Sequence, residues 1–253
     1  MRKLNLQEIE TLERLQHCWA EDWNYVTVAD DFNALNIRNS NFYGYVEIGS
    51  DVRIADAKII KGSGKPFKPN VISVLNEGGD GNIILCPQLT AQLAYMMMNS
   101  TEVFALVEKE VSASAIVAAT VIADGAMIEG ATKIVDSYIG SNTYIGPDVI
   151  MEKSVTAAGA EVTDAAKIYE SFVGEAVHIG KGFSSEASCF FANAYMDNGE
   201  ACAALCGPFA CSHHKSTLLI GGEFSFYNAG SNTNQSNHAY KMGPIHWGTL
   251  QRG

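Results

Sequence analysis

Branched apolar residues recur along this chain with a step of six, which fits neither the 3.6 of a helix nor the strict alternation of a hairpin sheet. From Ile116 the large apolar positions are Ile122, Ile128, Ile134, Ile139, Ile145 and Met151, separated by 6, 6, 6, 5, 6 and 6 residues. Small or β-branched residues fall between them at Thr120, Ala126, Thr132, Ser137, Thr143 and Val149. The same grammar holds earlier, at Ile37, Phe42, Ile48, Ile54 and Ile60, and later at Val162, Ile168, Val173 and Ile179. Three stretches align without gaps: IRNSNFYGYVEIG from Ile37, IVDSYIGSNTYIG from Ile134 and IYESFVGEAVHIG from Ile168. Each has a serine three residues after its first anchor, a second anchor after five, and Ile-Gly at its end.

A step of six predicts a coil whose flat sides are short strands, each turning one large and one small side chain inward. Gly, Asn and Asp at the corners accept the left-handed backbone that such turns need. Three sides close a triangle, and stacked triangles make a parallel β-helix hydrogen-bonded from coil to coil. The pattern resembles the hexapeptide-repeat superfamily, whose left-handed parallel β-helix departs from the usual right-handed crossover. The resemblance is cleanest over residues 37–60 and 116–180.

Two stretches break the step. Asn5-Leu6-Gln7-Glu8 is a capping-box pattern, and Leu6, Ile9, Leu12 and Leu15 form an apolar stripe, so a helix is expected to about Cys18. Such a helix can cover the open end of a solenoid. Between Ile60 and Ile116, GSGKPFKPN reads as a loop, VISVL and NIILC as strands around a turn, and Pro87 to Lys109 as two helices broken near Asn99-Ser100. The Met96-Met97-Met98 run reads as packing filler. The expected fold is mainly β: a left-handed parallel β-helix with an N-terminal helix and a helical insertion. Residues 1–30 form the helical cap, and residues 31–253 the β-helix domain, interrupted by the insertion at about 61–112.

Charge narrows the partners. Lys and Arg number 17 against 28 Asp and Glu, a net charge of −11 with no basic cluster, which disfavours nucleic acid and anionic membranes. The N-terminus carries no apolar signal segment, and six cysteines without one read as reduced thiols of a cytoplasmic protein. Cys202, Cys206 and Cys211 with His213 lack the paired C-x2-C of common zinc modules, and read as small inward fillers. No metal site is expected.

The resemblance to hexapeptide proteins implies an acyltransferase moving an acyl group from acyl-CoA to a hydroxyl or amine of a sugar or nucleotide-sugar. It also implies a homotrimer with sites between neighbouring helices. The acyl-CoA is a co-substrate and no cofactor stays bound. Such chemistry needs a base for the acceptor's proton and a donor for the oxyanion, and an imidazole suits the first role near neutral pH. The candidates are His238, set among amides of which Asn234 and Asn237 could hold a polar acceptor, then His213 and His214. Lys215 and Lys241 could meet phosphates of the substrates. His178 and His17 read as structural. Two alternatives stand beside the enzyme: a non-catalytic β-helix that binds a sugar nucleotide or serves assembly, and a metal-dependent hydratase of the carbonic-anhydrase-like β-helix type. The latter would draw on His213, His214 and His238, although the H-x4-H spacing of that type is missing. Residues 207–248 also resemble part of a family of longer bacterial β-helix proteins, a likeness that carries no activity with it. That likeness leads us to expect a downstream continuation or a partner over the last coil.

Overall fold

The computed structural model of the chain describes residues 1–64, 70–75, 81–113, 119–224 and 228–231, with the backbone of 234–236. From Trp19 on, and leaving out the two strands of the insertion, its strands wind in a fixed rotation around three faces, each strand pairing in parallel with the third coil strand after it. The first face runs from Val26–Val28 and Val46–Ile48 through Thr120–Ile122 to Glu223–Phe224. The second face runs from Ile37–Arg38 to Asn228–Ala229, and the third from Trp19–Ala20 to Asn234–Ser236. The protein is therefore mainly β, a parallel coil of three sheets, as the six-residue step requires.

The anchors lie inside. Ile122, Ile128, Ile134, Ile139, Ile145 and Met151 are fully buried, as are Ile37, Ile60, Val162, Ile168, Val173 and Ile179. Ile122 stacks on Ile48 and Ile139, and Ile128 on Ile54 and Ile145, so each face carries an inner column of like side chains. Ile116 lies outside the described residues.

The single gap of five has a structural cause. It falls at the corner from the third face to the first, where one residue takes a positive φ: Asp136, Lys153, Glu170, Ala187 and Ala203 lie at 45–49°. At the first four corners the next residue is Ser137, Ser154, Ser171 or Ser188, and after Ala203 it is Ala204, all buried. Each hydroxyl donates to the carbonyl two residues back, at 2.7–2.8 Å. Each also accepts the backbone N–H of the next coil's corner, at 3.0–3.2 Å. The serine thus carries the coil-to-coil bond where the tight turn swings the peptide away. Ser40 makes the same device, yet it sits between the second face and the third. The stretch from Ile37 therefore shares a corner type with those from Ile134 and Ile168, but lies one face out of phase with them.

Leu6–Glu10 forms helix α1, closed by the expected capping box: Glu8 N–H donates to Asn5 Oδ1 at 2.9 Å, and Asn5 N–H to Glu8 Oε2 at 2.8 Å. The next turn, Thr11–Leu15, widens to a π-helix and shifts the register of its side chains. Leu12 alone of the stripe is buried, while Leu6 is 87% and Leu15 68% exposed. The coil begins sooner than expected. Trp19 and Ala20 already pair with Asn41 and Phe42, inside the stretch assigned to the cap. Arg2 and Lys3 close the edge of the first face antiparallel to Val28 and Thr27.

The insertion leaves after Lys61 and the coil resumes at Thr120. Val71–Ser73 pairs antiparallel with Asn82–Ile84, followed by helices α2 (Ala91–Asn99) and α3 (Thr101–Ala113), broken at Ser100. These pack on the outside of the first face, covering Val155, Phe172, Cys189, Phe191 and Leu205 with Ile83, Leu85, Leu89 and Met97. Met97 is buried and Met96 exposed. No helix among the described residues is long and apolar enough to cross a membrane.

Candidate functional site

A strand of this coil turns alternate side chains outward, and strict stacking lines up every seventeenth residue or so. On the second face the outward row reads Met127, Tyr144, Glu161, His178, Tyr195, Cys211 and Asn228. His178 lies at its centre. The imidazole Nδ1 is 3.2 Å from Glu161 Oε2 on one side. Its Nε2 is 3.3 Å from Asp197 Oδ1 on the other. The Tyr195 ring stacks on it at 4.4 Å between centroids and 16° between planes. Further along, His213 meets the Tyr195 ring edge-on at 6.4 Å, with His214 4.2 Å beyond it. Cys211 Sγ lies 3.1 Å from His213 Nδ1.

Asp197 is the unusual member, a carboxylate with 0% of its surface exposed. Lys181 Nζ donates to its Oδ2 at 2.7 Å, which offsets the cost of burying the charge. Its Oδ1 has no hydrogen-bond partner among the described residues, because His178 Nε2 approaches within ion-pair reach without hydrogen-bond geometry. Room for the pair comes from Gly180: a Cβ there would lie 2.9 Å from both Asp197 Oδ1 and His178 Nε2. Burial first, then the Asp197 carboxylate, raises the Tyr195 phenol above its ordinary value. The Cys211 thiol is raised by the same two causes. At the other end of the row, burial and then Glu129 raise the Tyr144 phenol, whose hydroxyl donates to Glu129 Oε2 at 3.3 Å.

An apolar groove of about 430 Å³ opens between the start of α2 and the first face, at the corner where the first face turns into the second. Leu89, Ala91, Phe172 and Phe191 line it, and Thr90 caps the helix by accepting from Leu93 N–H at 3.1 Å. Gly174 and Glu175 on its rim lie in the turn that leads into the strand bearing His178.

The sequence candidates fall differently. His213, His214 and Lys215 are exposed just beyond the second-face strand Cys211–Ser212, so the histidine pair adjoins the row instead of forming a site of its own. Asn234 lies in the strand Asn234–Ser236 of the third face. His238, Asn237 and Lys241 lie outside the described residues. His178, read from the sequence as structural, lies between two carboxylates and under a stacked ring. The sequence cue is the step of seventeen residues, one full coil, from Glu161 to His178 and again from His178 to Tyr195. Among the three clustered cysteines only Cys206 points inward, while Cys211 faces outward beside His213. Among the described residues no three His, Cys, Asp or Glu side chains converge as metal ligands.

No curated protein matches the chain. A family model described as a domain of unknown function, DUF4954, matches residues 1–62 and 105–253, leaving out most of the insertion.

Proposed function

We propose that this chain, which belongs to the DUF4954 family, is a thioester-dependent acyltransferase built on a left-handed β-helix of the hexapeptide type. The observation that carries the reading is the His178 imidazole held on an open face between a buried and an exposed carboxylate. Asp197, anchored by Lys181, lies 3.3 Å from Nε2, and Glu161, half exposed, lies 3.2 Å from Nδ1. An acceptor hydroxyl or amine resting on the exposed Tyr195 ring displaces Glu161 and gives its proton to Nδ1 as it attacks the thioester. Carboxylates beside an aromatic ring suit a sugar, with polar edges and an apolar face. The neighbouring groove suits the apolar arm of the donor, an acyl-CoA. Assembly as a homotrimer would place a second coil against this face.

The test is thiol release from acyl-CoA in the presence of sugars and nucleotide-sugars. His178→Gln should lower the acceptor-dependent rate about 10²–10⁴-fold, the usual contribution of general-base catalysis. A rate within threefold of the parent rejects His178 as the base. A second reading has its own support, since both nitrogens of His178 already face carboxylates: the row is then a sugar-binding platform without turnover. In that case acceptors raise the melting temperature while no thiol is released.

A further inference from the structure

We propose that Cys211 and His213 form a reactive thiol–imidazole pair that accepts the acyl group as a covalent thioester before it reaches the acceptor. The inference rests on the acyltransferase reading and adds an intermediate to it. Cys18, Cys86, Cys189 and Cys206 are buried, and burial pushes each of these thiols up and leaves them inert. Cys211 instead reaches the surface on the same outward row as His178, one coil beyond Tyr195. Its sulfur is 3.1 Å from His213 Nδ1, the separation of a nucleophile from its base.

The pair adjoins the His178 cluster. The Tyr195 ring stacks on His178 and meets His213 edge-on. Burial, and after it the buried Asp197 that lies 3.3 Å from His178 Nε2, raises the Cys211 thiol. Thiol and base therefore lie beside His178 on the second face. Burial and Asp197 keep Cys211 protonated at rest, so the thiolate forms only when His213 takes the proton. A thiolate of high pKa is intrinsically the stronger nucleophile.

The step balances. The Cys211 proton passes to His213 Nδ1, and Sγ forms a bond to the carbonyl carbon of the acyl-CoA. The bond from that carbon to the CoA sulfur breaks, and the departing thiolate takes the proton from His213. Cys211 then carries the acyl group, with no redox change. His178 deprotonates the acceptor for the second transfer, which returns the Cys211 thiol.

The test uses the full chain with acetyl-CoA and a longer acyl-CoA, without acceptor, quenched in acid, digested and weighed. The expected result is an acyl adduct on the Cys211 peptide, removed by hydroxylamine. Cys202→Ser should leave it, and His213→Ala should slow its formation at least tenfold. No adduct at Cys211, equal labelling of Cys202, or an unchanged rate in His213→Ala overturns the relay. The intact protein's adduct decides the matter even if a Cys211→Ser variant fails to fold. Transfer to acceptor without any Cys211 adduct rejects the relay and keeps the acyltransferase. An adduct that no acceptor discharges is a dead-end thioester and overturns the relay together with the transferase reading.

Discussion

The first and second faces of the coil share one inner column rule and differ in what they turn outward. On the first face the outer row is Tyr138, Val155, Phe172, Cys189 and Leu205, and the insertion seals most of it into a second core. On the second face the corresponding row is Tyr144, Glu161, His178, Tyr195 and Cys211, carrying charge, two aromatic rings and a thiol. The inward residues set the fold and are apolar on both faces. The outward residues differ, and they separate an apolar packing face from a polar one.

The comparison breaks most visibly through stability. Phe172→Ala removes an outward ring that the insertion buries, and should cost about 3–5 kcal/mol, as much as the inward Phe190→Ala. Tyr195→Ala, one face over and 39% exposed, should cost about 1 kcal/mol, the worth of its ring stacking. Urea unfolding of the three variants measures this. Equal losses at Phe172 and Tyr195 would erase the distinction between the faces. A smaller effect sharpens the part common to both. Ser171→Ala strips the corner of a hydroxyl that accepts from Ser188 N–H and Ser185 Oγ and donates to Tyr169 O. It should cost about 1–3 kcal/mol by leaving a buried N–H unpaired, and hydrogen exchange should quicken at Ser188.

The contrast also explains what the sequence discloses. Inner columns repeat one residue type every half-dozen positions, so Ile122 to Met151 announce the coil, and Asn5 with Glu8 announces the cap. The break of α2 and α3 at Ser100 was legible for the same reason, since Asn99-Ser100 interrupts an apolar period. Outward rows repeat only once per coil and mix chemistries. Glu161, His178 and Tyr195 look unrelated along the chain and become neighbours only when coils are stacked in register. The amide-rich stretch around His238 stands out by local composition, which says nothing about stacking. Cys211 and Cys206 are near neighbours in sequence, although the two point to opposite sides of the wall.

We propose the acid–base chemistry at His178 on the second face, whereas the amide-rich stretch offers His238 by composition alone. The most direct measurement compares His178→Gln and His238→Ala in one acyl-CoA assay, with melting temperatures confirming that both variants are folded. The account predicts that His178→Gln loses about 10²–10⁴-fold in acceptor-dependent turnover while His238→Ala keeps most of it. A loss of that size at His238, with His178→Gln near the parent rate, would contradict it.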